Sequence, residues 1–132
     1  MDDLVNSFPD FEHVGVGRDD GIRKGEHMAV FYKSARFTKV KDGMFWLNET
    51  TDKPGLGWDA KCNRTVTWIE LQDKVTRKNF YVFDTHFDNS EKIDFVFVNP
   101  KVEVLRHGVL SDSFGLYYPS DHLPVLVEVK ID

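Results

Sequence analysis

With 132 residues, 41% of them hydrophobic and 30% charged, the chain has the length and balance of one domain with a core of its own and lacks the composition of a disordered segment. Its net charge of -5 argues against electrostatic wrapping of nucleic acid as the main activity, which draws on a surplus of Lys and Arg. Cys62 is the lone cysteine, which leaves this sequence no intrachain disulfide and no cysteine-based zinc site.

In chain order, a short helix is expected over Asp2 to Ser7, followed by a turn at Arg18-Asp19-Asp20-Gly21 and a strand over Met28-Ala29-Val30-Phe31-Tyr32. Lys41-Asp42-Gly43 and Lys53-Pro54-Gly55-Leu56-Gly57 read as turns, the second opening a stretch to Ala60 that could hold another short helix. Thr65 to Leu71 and Phe80 to His86 are β-branched and aromatic runs of strand length, joined by a hairpin over the stretch from Leu71 to Phe80. Ile93 to Val98, Val102 to Leu105 and Leu123 to Val129 follow as strands, with a turn at Asn99-Pro100. No run approaches the eighteen or so apolar residues of a membrane span, and Met1-Asp2-Asp3 is acidic, unlike a signal or transit peptide. A soluble chain is expected, its compartment open between cytoplasm and export. Successive apolar residues such as Tyr81-Val82-Phe83 and Phe95-Val96-Phe97 want burial on both sheet faces, and little helix is present to supply it.

Histidine passes protons near neutral pH, and two of the five stand where strands meet a sheet rim. His86 closes Asp84-Thr85-His86, and His122 lies in Pro119-Ser120-Asp121-His122-Leu123-Pro124 as the last strand begins. Such positions hold catalytic groups well, because the strand fixes the side chain while the rim admits substrate. A rim histidine satisfied by ordinary hydrogen bonds is the structural alternative for each. Asp94 opens an apolar strand, where a carboxylate is costly to bury without a partner, and a histidine is a partner that also serves chemistry. A strand-start cap or a surface acid is its alternative.

Thr85-His86-Phe87-Asp88, Ile93-Asp94-Phe95-Val96-Phe97 and Ser120-Asp121-His122-Leu123-Pro124 resemble, in order, three signature blocks of the DNase-like endonuclease/exonuclease/phosphatase superfamily. The segment from Val14 to Gly21, followed by Gly25-Glu26 and Ala29-Val30-Phe31-Tyr32, is similar to a bacterial branch of it, as are Gly43 to Leu47, Trp58-Asp59-Ala60 and Arg64 to Trp68. The resemblance implies an α/β fold, a DNase-like two-sheet sandwich of which this chain holds mostly the β portion, with the site at one edge. It also implies hydrolysis of phosphodiesters or phosphomonoesters with a divalent cation, Mg2+ or Mn2+. By match to the motifs, His122 is the histidine at the scissile phosphate, Asp94 the carboxylate that orients it and Asp121 a metal-side carboxylate. His86 matches the second histidine, Glu26 its carboxylate partner, and Arg64 a basic residue that contacts a substrate phosphate. Phosphoryl transfer is mostly positioning and charge neutralisation, for which these groups are suited.

Two elements of the pattern are missing. A strand with a metal-binding glutamate is expected before Met1, and a Gly-Asp-x-Asn block between the Thr85-His86 and Ile93-Asp94 blocks, where only Phe87 to Lys92 stand. Residues 1-132 are therefore expected to form a single but incomplete domain, with chain absent between Asn89 and Ser90. Asp84 stands where the superfamily often has asparagine, and Asn89 where the bacterial branch often has histidine. The expected partner is a phosphate ester: nucleic acid, nucleotide, sugar phosphate or lipid headgroup. Self-association is the expectation where truncation leaves a sheet face bare. The competing readings are an inactive fragment or a phosphate-binding module without catalysis, and a purely structural β-rich interaction domain.

Overall fold

The computed structural model describes residues 2-58, 60-86, 94-100, 102-109 and 125-131. Among these residues one helix, α1 (Asp2–Ser7), precedes eight strands: β1 (Phe11–Val14), β2 (Val30–Lys33), β3 (Phe37–Trp46), β4 (Thr65–Asp73), β5 (Asn79–His86), β6 (Asp94–Val98), β7 (Val102–Val109) and β8 (Val125–Ile131). They form three antiparallel sheets: β1-β2, the central β3-β4-β5-β6, and β7-β8.

Every described strand pairs antiparallel, as strands joined by short connections can, whereas parallel neighbours need a long crossover. The β4-β5 hairpin matches the expectation, and Asp73 organises it. Its carboxylate accepts from the Val75 N–H at 2.8 Å, the Thr76 hydroxyl at 3.1 Å and the Arg36 guanidinium at 2.8 Å, all while fully buried.

Side chains alternate across a strand, so Ile69 and Leu71 of β4 and Phe80 and Val82 of β5 share one face of the central sheet. On that face they meet Val14, Val30 and Tyr32 from the first small sheet and Val102, Val129 and Ile131 from the other. This is the core, and Ile69 has no exposed surface at all. Burying such a side chain contributes about 1.5–3 kcal/mol. The Thr67 hydroxyl donates to the Met28 carbonyl at 2.6 Å, a buried polar tie between the central sheet and the segment leading into β2. Burial, with a hydrogen bond to Glu12, raises the Tyr32 phenol to about 12. The core thus lies where the two small sheets pack on the central one, in a structure that is mostly β.

The opposite face of the central sheet carries a row in register, Gly43, Trp68, Phe83 and Phe97. Tyr81 joins it, with ring centroids 6.4 Å from Trp68 and 6.3 Å from Phe83. Phe97 is 48% exposed and Tyr81 37%. Both faces carry apolar residues, and on this one Val66 is buried while Phe97 and Tyr81 keep exposed surface.

Several expectations need correction. Lys41-Asp42-Gly43 is no turn: β3 runs straight through it, with a bulge between Lys39 and Lys41 that absorbs the irregularity. Glycine sits there because Trp68 lies over it, and a Cβ at Gly43 would come 2.9 Å from the indole Nε1. The strand expected over 28-32 is Val30–Lys33, and residues 54-58 form no helix. Leu71 is not the end of β4, and the last two strands also run further, as Val102–Val109 and Val125–Ile131. The strands β1 and most of β3 were not foreseen, since Phe11–Val14 is too short to show a period and β3 is interrupted by charge. The expected break between Asn89 and Ser90 lies outside the described residues.

Candidate functional site

Four strand ends share one rim of the central sheet. Trp46 ends β3 opposite Thr65, which begins β4; His86 ends β5 opposite Asp94, which begins β6. The Thr85 hydroxyl donates to the Thr65 carbonyl at 3.0 Å and fixes the rim of the β4-β5 pair. Arg64 stands one residue before β4, so it emerges at the rim reached by His86. Its carbonyl accepts from the Leu47 N–H at 2.7 Å, and its Nε and Nη1 are shielded from solvent.

The loop between β1 and β2 reaches this rim. Asp20 closes it on itself, its Oδ1 accepting from the N–H groups of Ile22, Arg23 and Lys24 at 2.8, 2.9 and 2.9 Å. These bonds, led by the Lys24 and Ile22 N–H groups, hold the Asp20 carboxyl below its ordinary value. Gly25 takes a positive φ of 82°, and a Cβ there would lie 2.6 Å from the Asp19 carboxylate, so glycine is favoured. The Arg18 N–H donates to the Glu26 carbonyl at 3.0 Å, bringing the two ends of the loop together. Trp46 Nε1 donates to the Arg18 carbonyl at 2.7 Å and fastens the loop to the central sheet.

This construction delivers Glu26 to His86. Glu26 Oε2 lies 3.6 Å from His86 Nδ1, and Arg18 Nη1 forms an ion pair with the same oxygen. His86 is buried, with Glu26 and Arg18 partly so. A carboxylate so placed orients an imidazole and stabilises its charged form, the arrangement a proton-transferring histidine needs. Of the residues expected from sequence, Glu26 and His86 meet side chain to side chain, Asp94 is the register partner of His86, and Arg64 arrives at the same rim. Asp121 and His122 lie outside the described residues. Sequence reasoning gave Arg18 no role, although it stands eight residues before Glu26 across an Asp-Asp-Gly turn, the separation that brings the two together.

Among the described residues no three His, Cys, Asp or Glu side chains gather as a metal site would require. Magnesium takes six oxygens, so the described residues by themselves do not fit the expected ion. An open hollow of about 600 Å³, lined by Glu12, Ser34, Phe37, Lys39 and Lys74 among others, lies at the other end of the central sheet and shares no residue with this rim.

No protein-family model matches the chain. Among curated proteins it is similar to uncharacterized protein L388 of Acanthamoeba polyphaga mimivirus, 24% identical over 120 residues that make up 86% of this chain and 43% of that one. The chain thus spans less than half the length of that curated relative. Among solved structures, an endonuclease/exonuclease/phosphatase family protein from Bacteroides thetaiotaomicron is 28% identical, with a TM-score of 0.80, over 100% of this chain and 79% of its own. Its fold is that of the endonuclease/exonuclease/phosphatase superfamily, to whose members the chain is similar. A second superfamily structure, a mannosyl-6-phosphatase of Bacteroides thetaiotaomicron, is 27% identical with a TM-score of 0.80, over 99% of this chain and 81% of that one. A third, from Bacteroides vulgatus, shares the superfamily fold at a TM-score of 0.81 and 24% identity, over 99% of this chain and 80% of that one. No helix among the described residues is long and apolar enough to cross a membrane.

Proposed function

We propose that this chain engages a phosphate ester at the rim formed by His86, Glu26 and Arg64, as a phosphoesterase of the divalent-metal type. The observation that carries the reading is the Glu26 carboxylate 3.6 Å from His86 Nδ1 at the end of the central sheet. A carboxylate beside Nδ1 holds a proton there and stabilises the imidazolium, whose Nε2–H can then donate to a phosphate oxygen. Arg64 supplies a guanidinium, whose planar fork matches phosphate oxygens two at a time. His122 with Asp94 is the proposed pair at the scissile phosphate. Asp121 is the proposed contributor to a site for Mg2+ or Mn2+, which would neutralise phosphate charge. Sugar phosphates are the first substrates to try, given that one similar structure is a mannosyl-6-phosphatase.

A second reading is a phosphate-binding module without catalysis, since His86, Glu26 and Arg64 at the rim would suffice to hold a phosphate without turning it over. Mannose 6-phosphate, p-nitrophenyl phosphate and bis(p-nitrophenyl) phosphate, each with Mg2+, with Mn2+ and with EDTA, separate the two. Turnover that EDTA abolishes and His86→Ala loses supports the phosphoesterase. Calorimetric phosphate binding without turnover selects the module, and neither binding nor turnover removes both.

A further inference from the structure

The connection from β3 to β4 spans residues 47-64, and Trp58 is its one aromatic residue. Trp58 is 80% exposed, and Leu56, two residues before it, is 63% exposed. The Trp58 backbone stands at φ 43°, a left-handed conformation that a bulky L-residue rarely adopts. A large apolar surface left in water and a strained backbone thus meet in one residue, and strain of this kind gathers at ligand sites. The loop is built to hold it there. Gly57 is buried against the residue that follows β3: a Cβ on it would lie 1.9 Å from the Leu47 carbonyl oxygen. The Ala60 N–H donates to the Gly57 carbonyl at 2.8 Å, closing a turn around Trp58, and Asn48 holds the Lys53 and Gly55 carbonyls just before it. The Leu47 N–H in turn donates to the Arg64 carbonyl at 2.7 Å. Trp58 is therefore one residue, about 3.8 Å of chain, from a glycine packed on the residue that is bonded to Arg64.

We propose that Trp58 is a substrate-binding residue of this rim: its indole stacks on the sugar ring of a sugar phosphate whose phosphate is held by Arg64 and His86. The proposal rests on the reading of the rim given above and adds the group that receives the part of the substrate beyond the phosphate. An indole face is electron-rich, and the C–H bonds on one face of a pyranose are weakly positive, so the two attract as well as exclude water. The same loop exposes Glu49, Thr51 and Asp52, whose oxygens hydrogen-bond hydroxyl groups. A nucleobase is typically gripped between two flat or apolar side chains, and residues 47-64 hold no second aromatic.

The test uses the full chain in EDTA, so that no ester is hydrolysed, and begins with the NMR signals of its three tryptophan Nε1–H groups. The Trp58 signal is the one absent from Trp58→Phe. Mannose 6-phosphate is expected to shift it, and inorganic phosphate at equal occupancy to leave it in place. Calorimetry then compares the affinities for the two ligands. Trp58→Ala is expected to lower the ratio of mannose 6-phosphate to phosphate affinity about three- to tenfold, and Trp58→Phe, which keeps an aromatic face, to lower it less. Because Trp58 is exposed and strained, Trp58→Ala is expected to unfold in urea no earlier than wild type. Should it not fold, the wild-type signal and Trp58→Phe decide. An unchanged ratio overturns the proposal, as does a Trp58 signal that AMP shifts and mannose 6-phosphate does not. A wild type that binds neither phosphate nor ester removes the proposed function and this proposal with it, whereas binding of both at a ratio indifferent to Trp58 removes this proposal alone.

Discussion

His86 and Asp94 are register partners on neighbouring antiparallel strands, the last residue of β5 facing the first of β6 across the ladder. Two positions drawn from separate sequence blocks are thus adjacent in the backbone, at the rim where Glu26 also arrives. Residues this close act as a unit, and their substitutions are not expected to add. In a double-mutant cycle on phosphate-ester turnover or binding, His86→Ala and Asp94→Asn should show a coupling of about 0.5–3 kcal/mol. Strict additivity would separate Asp94 from the His86 group.

Asp73 is fully buried, and its pH behaviour follows from its bonds. Burial alone would push its carboxyl up; the hydrogen bonds from Val75 N–H, Arg36 and Thr76 together outweigh that and hold it below the ordinary carboxylate value. A carboxyl lowered in the folded state contributes stability that is complete above its unfolded pKa, about 4, and is lost as pH falls through its lower folded value. Asp73→Asn is expected to cost about 1–3 kcal/mol in urea unfolding at pH 7. The difference from wild type should shrink below about pH 4. An equal difference at pH 7 and pH 3 would contradict the assignment.

Gly43 is a packing requirement. A Cβ there would lie 2.9 to 3.0 Å from the Trp68 indole, whereas one at Gly108 in β7 would meet nothing within 4 Å. Gly43→Ala is expected to cost about 1–3 kcal/mol, the usual penalty of overpacking. Gly108→Ala is expected to be neutral or to stabilise by up to about 1 kcal/mol through the unfolded chain. Chemical denaturation of both variants checks the contrast, which equal effects would remove.

Asn48 organises the connection from β3 to β4. Its Nδ2 donates to the carbonyls of Lys53 and Gly55 at 3.0 and 3.1 Å, and its Oδ1 accepts from the Thr50 N–H and hydroxyl and the Thr51 N–H. With Asn48 buried, Asn48→Ala leaves several of these groups without a partner and should cost about 2–3 kcal/mol. Because this connection ends at Arg64, faster proteolysis within residues 47-64 should accompany weaker phosphate binding. Unchanged cleavage would show that the loop is held by other contacts.

Much of the sheet was legible in the sequence. Runs such as Thr65 to Leu71 and Phe80 to His86 alternate on a period that only a strand satisfies, and the polar stretch between them had to turn. Glu26, His86, Asp94 and Arg64 could be named from the order of their blocks. Three-dimensional neighbours were harder to read. Gly43 looked like a turn because glycine beside charge usually is one, and no local signal reveals that Trp68 lies over it.

By itself, then, the sequence determined several of the strands and the residue types set at the strand ends, because alternation, turn chemistry and charge act over a few neighbouring residues. Only the tertiary structure decided that the β1-β2 loop folds back over the central sheet, that the Trp46 indole fastens it, and that Arg18 and His86 both approach one oxygen of Glu26. Those relations join residues far apart in the chain, and they depend on burial and hydrogen-bond satisfaction, which exist only once the sheets have packed.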